Sequence, residues 1–177
     1  MSALLQRLLG ICALRQGPQD LPYAPGVAGL LVIVVVVLEA LLAPVLEVPE
    51  AQVLPRAALS ALMLIGAPWL LLQLRGRRAR FVQTLIAMAG TGLLFTLAAV
   101  PLLVGIVGVS VTSQPPSPSV QILIVLLLLM VLWKLMVDAH IWRQALDWPQ
   151  AGGILIALGL FLIEMGLDRW LQQTYAT

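Results

Sequence analysis

One cysteine, one histidine and one lysine occur among 177 residues. A single Cys excludes an intrachain disulfide, and one Cys with one His is too few for a protein zinc cage. One His also excludes bis-histidine haem within the chain. Charged residues make up only 10%, against about a quarter in a soluble domain, whereas hydrophobic residues reach 61%. The net charge of +2 gives no basis for nucleic-acid binding. No HExxH, GxSxG or P-loop pattern occurs, so the familiar metalloprotease, hydrolase and nucleotide-binding signatures are missing. The expectation is a protein without catalytic chemistry and without a cofactor.

What the chain has instead is apolar length. A membrane helix needs about 20 mostly apolar residues. Five stretches meet that requirement: about Gly26 to Leu46, Pro55 to Leu74, Phe81 to Val109, Val120 to Trp142 and Gln150 to Leu171. In lipid the backbone must satisfy its own hydrogen bonds, so even the Val-rich run Val32 to Val37 is expected to be helical. The predicted fold is an all-α integral membrane protein, a single five-helix transmembrane domain. The third stretch would extend ~43 Å against ~30 Å of hydrocarbon, so it must tilt, kink or leave the membrane, and Pro101 offers a kink.

Residues 1–16 read as a short helix in the membrane interface. Leu4, Leu5, Leu8, Leu9, Ile11 and Cys12 share one face, and Gln6, Arg7, Gly10 and Ala13 take the other. Cys12 on the apolar face is a possible acylation site. Between the spans lie short Pro-, Gly- or Arg-rich connections with no room for a second domain. Small residues four apart, Ala57 and Ala61, Gly92 and Thr96, Gly153 and Ala157, mark faces where helices can approach closely.

Loop arginines set orientation. Arg7, Arg15, Arg75, Arg77, Arg78, Arg80 and Arg143 fall on one side, and only Arg56 and Arg169 on the other. The expected topology is N-terminus in the cytoplasm, C-terminus outside. Trp69, Trp142 and Trp148 then fall near the inner interface and Trp170 near the outer, as an aromatic belt. The cluster Arg75, Arg77, Arg78 and Arg80 is topogenic on its plain reading; on its functional reading it captures anionic lipid headgroups or an acidic partner.

Four charges remain inside the spans, and each costs at least about 2.5–3.5 kcal/mol at mid-bilayer. They are Glu39, Lys134, Asp138 and Glu164. Glu39 and Glu164 both lie ~20 Å from the inner face. If the first and fifth spans meet, the two carboxyls share one dry site; otherwise they hydrate near the outer headgroups. Lys134 falls ~9 Å from the inner face, a different level, with Asp138 one turn deeper on the same helix face. Those two read either as a neutralising pair or as a proton or ligand site. His140 reads as an interfacial residue with a capping or hydration role.

Five closely spaced spans, a cytoplasmic N-terminus and the short GPQDLPY run before the first span (Gly17 to Tyr23) resemble the Yip1-type membrane proteins. The resemblance lies in the span layout; it implies a membrane-organising or trafficking-type role and assigns no functional residue. Nine Arg against one Lys, with abundant Ala, Leu, Gly and Pro, suggest a GC-rich bacterial gene and hence a bacterial inner membrane. Two functions follow. The first is an interaction, assembly or membrane-organising subunit in contact with lipids and with other membrane proteins or itself. The alternative is a transport or permeation subunit using Glu39 and Glu164. Whether those carboxyls converge on a cavity discriminates between them.

The orientation is testable with reporters. A fusion after Thr177 should be active only outside the cytoplasm, and one between Gly76 and Arg80 only inside. The reverse pattern at both sites overturns the assignment.

Overall fold

A computed structural model describes residues 2–107 and 117–175. Among these there are six α-helices and no strand: α1 (Ser2–Cys12), α2 (Pro25–Leu42), α3 (Glu50–Leu74), α4 (Phe81–Val107), α5 (Pro118–Leu146) and α6 (Gln150–Thr174). The last five are long and apolar enough to cross a membrane. The protein is therefore an all-α, multi-pass helical bundle.

Element ends differ from the expectation where local chemistry intervenes. The first span stops at Leu42, four residues early, because Pro44 has no N–H to continue the ladder. Glu47 then turns left-handed (φ 55°) and the Val48 N–H closes onto the Ala43 carbonyl. The second span starts earlier, at Glu50, so Pro55 lies inside the helix rather than at its start. Glu50 in the first turn complements the helix dipole. The fourth span runs on to Leu146 and is ended by Asp147, a residue that tolerates its left-handed φ of 57°. α4 is helical through Pro101; the end of the expected third span (108–109) and most of the Pro-rich connection lie outside the described residues.

The five long helices alternate in direction and form a ring: α2 packs on α3, α3 on α6, α6 on α5, α5 on α4, and α4 on α2; α3 also packs on α4 and touches α5 across the ring. The ring is filled unevenly. At the end carrying the Arg-rich loop, one cluster joins Leu72, Ala139, Trp142, Ala145, Leu146 and Ala157. A second joins Leu8, Ile11, Leu21, Ala28, Leu85, Ile86, Ala87, Val137 and Ile141. The opposite, distal half has few buried side chains, and the cavity described below extends into it. Trp142 is wholly buried in this packing, so it belongs to the core rather than to an aromatic belt.

α1 supplies part of that core. Leu8 and Ile11 are buried against α4 and α5, while Leu5 and Leu9 on the other side of the apolar face are about half exposed. Gly90 makes room: a β-carbon there would lie 2.7 Å from Leu8 Cδ1. The following segment is held by polar contacts. Gly17 N–H donates to Asp20 Oδ2 (2.7 Å), Gln83 Nε2 donates to the Leu21 carbonyl (2.7 Å), and His140 Nε2 lies 3.0 Å from the Gln16 carbonyl. His140 thus anchors the N-terminal segment to α5.

Of the small-residue faces, Gly153 and Ala157 pack as expected and Ala57 is buried. Gly92 and Thr96 instead line the cavity. Gly153 fixes the register of α6 on α5, since a β-carbon there would fall 2.4 Å from the Ala139 carbonyl oxygen and 2.9 Å from Arg143 Cβ. Gly159, two turns on, faces open space. Gly153→Leu should therefore destabilise the bundle by about 1–3 kcal/mol through overpacking, read as an earlier thermal transition in detergent. Gly159→Leu should leave that transition in place; equal effects at the two positions would contradict this packing.

Candidate functional site

All four intramembrane charges open onto one cavity of about 380 Å³ inside the ring, reaching from Trp142 and Ala157 of the Arg-loop-end cluster into the distal half. Each helix of the ring contributes one face. α2 brings Val35 and Glu39, four residues apart. α3 brings Ser60, Met63, Leu64 and Ala67, and α4 brings Met88, Gly92, Phe95, Thr96 and Ala99. α5 brings Leu127, Met130, Val131, Lys134, Asp138 and Trp142, and α6 brings Ala157, Leu160, Phe161 and Glu164. These spacings of three and four place one continuous stripe per helix toward the ring interior.

Glu39 and Glu164 face the same space from different helices. α2 and α6 are not packed side by side; α3 stands between them on one side of the ring. Ser60 on α3 donates to Glu39 Oε1 at 2.7 Å. None of the described residues donates a hydrogen bond to Glu164, an exposed residue that lines the cavity. Lys134 and Asp138 form a close pair, with Nζ 2.6 and 2.5 Å from the two carboxylate oxygens. Its geometry is that of the neutralising pair.

The depth separation between Lys134 and Glu164 is smaller than the sequence arithmetic gives. Gly153 sits against Ala139 and Arg143, and Glu164 lies eleven residues further along antiparallel α6. It comes level with about Met130, only ~6 Å from Lys134 along the axis. The discrepancy arises because α5 continues to Leu146. The Lys134 ammonium itself is drawn one turn the other way, onto Asp138.

A second, smaller cavity of about 270 Å³ continues toward the distal end and shares Glu39, Ser60, Thr96 and Glu164 with the first. Arg56 and Asp168 stand in its wall as a two-pronged ion pair, at 2.6 Å and 2.7 Å. These two, with Ser60 and Thr96, are the site residues that the sequence reading missed. The signal was available: Arg56 and Ser60 are four residues apart, as are Glu164 and Asp168, so each pair shares a helix face. Neither Cys12 nor His140 lines either cavity. Cys12 is half-buried beside α5, and burial pushes its thiol up from the usual range.

The Arg-rich loop is engaged largely within the protein. Arg75 lies over the Trp148 ring, 4.8 Å from its centroid, and Arg77 pairs with Asp147 at 2.9 Å. Arg80 donates to the Gln144 and Ala145 carbonyls (2.8 and 3.3 Å), two acceptors at the negative end of α5. Arg78 is exposed and is the one of the four without a partner among the described residues. No group of three or more potential metal-ligating residues occurs among the described residues.

No protein-family model, curated protein or solved structure matches this chain.

The contacts of the loop rank its arginines. Arg80→Gln should lower stability by about 1–2 kcal/mol, because two carbonyls lose a charged donor. Arg78→Gln should leave the thermal transition within about 0.5 kcal/mol of the parent, as expected of an exposed side chain. An Arg78 effect larger than that of Arg80 would refute this ranking.

Proposed function

We propose that the protein is a membrane transport or permeation subunit in which Glu39 and Glu164 hold the species that is moved, a proton or a cation. The observation that carries this reading is the convergence of both carboxyls, from separate helices, on one cavity. Four acidic groups (Glu39, Asp138, Glu164, Asp168) and two basic ones (Lys134, Arg56) line the two joined cavities, a formal charge of −4 + 2 = −2. Two acids are already paired with the two bases. Glu39 and Glu164 are left without a basic partner, and inside a bilayer such a pair requires a proton or another cation as its counter-charge.

The packing supports access to that site from the distal end. The Arg-loop half closes the cavity with Trp142, Leu72 and their neighbours, whereas the second cavity extends it the other way. The loop-arginine bias supports placing the Arg-rich end in the cytoplasm, and composition supports a bacterial inner membrane. The reading is non-catalytic and calls for no cofactor. Lipid headgroups remain partners for Arg78 at the surface.

A membrane-organising or assembly role, the one implied by the Yip1-type span layout, is the second reading. One observation favours it: Gly159 and Gly166, seven residues apart on α6, both face open space and would admit a helix of a partner or second copy.

Reconstituted vesicles containing a pH-sensitive dye separate the two. Sodium, potassium and organic ammonium ions applied in turn should include at least one that evokes proton movement through the wild-type protein. The double variant Glu39→Gln, Glu164→Gln should lose at least tenfold of that rate. If no cation evokes proton movement, or the double variant equals the wild type, the transport reading fails.

A further inference from the structure

The geometry points to an organic monocation with an aromatic or otherwise apolar body as the solute of this cavity, held at Glu164 and Glu39 and exchanged for a proton. This rests on the transport reading above and names its substrate class.

The chemistry of the walls selects among charges first. An anion would meet two carboxylates that have no basic partner, while the two bases are already occupied by Asp138 and Asp168. A hard metal cation needs about six oxygen ligands in a tight shell. Here the polar walls offer the two glutamates, the Ser60 and Thr96 hydroxyls and a lysine-bound aspartate, spread over five helices. The rest of the wall is apolar and polarisable: Met63, Met88 and Met130, with Phe95, Phe161 and Trp142. Aromatic faces attract cations, and thioethers adapt to irregular apolar shapes. A volume of about 380 Å³ is in the range of small-molecule sites and far larger than a dehydrated metal ion requires.

The exchange follows from charge balance. The titratable and charged groups facing the site are Glu39 from α2, Arg56 from α3, Lys134 and Asp138 from α5, and Glu164 and Asp168 from α6; α4 contributes only Thr96 as a polar group. With the two ion pairs intact, a monocation entering beside Glu164 displaces one proton to water, and the charge of the cavity is unchanged. The apolar body supplies the affinity that a small hydrated ion lacks.

Benzyltrimethylammonium is a suitable probe, and neopentylbenzene is its neutral isostere. Calorimetry on the protein in lipid nanodiscs, in two buffers of different ionisation enthalpy, gives both affinity and proton count. The cation should bind with release of about one proton, and neopentylbenzene at least tenfold more weakly. Glu164→Gln should weaken binding of the cation at least tenfold, while Glu164→Asp retains it. Met130→Trp fills the apolar wall without altering any charge and should also weaken binding at least tenfold, with an unshifted thermal transition confirming the fold. Binding no tighter than that of the neutral isostere, equal competition by sodium, or affinity unchanged in both Glu164→Gln and Met130→Trp overturns the inference. If sodium or potassium drives proton movement but benzyltrimethylammonium does not bind, the transport reading stands and this substrate class falls.

Discussion

A charge within a bilayer must find a partner or a wet cavity, and the charged side chains deep in the spans obey that constraint in the same place. Glu39, Arg56, Ser60, Thr96, Lys134, Asp138, Glu164 and Asp168 come from five different helices, yet all face the interior of one ring. Their placement leaves the outward faces to residues such as Leu30, Ile33, Ile122, Leu128, Leu132 and Leu155, all well exposed. The rotations of α2, α3, α5 and α6 are thus constrained: turning any of them to expose its charge to lipid would cost several kcal/mol.

The tight half of the bundle supports that arrangement from below. Gly153 permits the close approach of α6 to α5, and Gly90 admits Leu8 of α1. Arg80 ties the start of α4 to the end of α5, where Asp147 turns the chain through its left-handed conformation. The Gly17–Asp20 turn adds another brace, since a β-carbon on Gly17 would collide with Gln144. These contacts determine the register in which Lys134 and Glu164 approach each other.

Much of this was legible from sequence, and the errors have identifiable causes. Apolar length was sufficient to find all five long helices. It misplaced their ends where proline or aspartate decided the matter: Pro44 shortens α2, Pro55 is tolerated within α3, and Asp147 extends α5 by fixing its stop. The four intramembrane charges could be found by composition, but their meeting could not, because it depends on which helices are neighbours in the ring. Arg56 and Asp168 were overlooked because each lies near a span end, where a charge needs no explanation; only their two-pronged contact across α3 and α6 reveals the connection. His140 and Trp142 misled for a related reason: a position near the end of a span looks interfacial until α1 and α3 cover it.

The depth of Glu164 also has an electrical meaning. It lies fourteen residues into α6 from Gln150, ~21 Å through a hydrocarbon layer of ~30 Å. A monovalent charge reaching it from the distal end therefore crosses about a third of the transmembrane field. With about 2.3 kcal/mol per charge for a full crossing at 100 mV, that fraction is worth about 0.8 kcal/mol. Binding of a lone proton or cation to the empty carboxylate from that side would change about fourfold per 100 mV, whereas the one-for-one exchange proposed above carries no net charge through the field and would not respond to voltage.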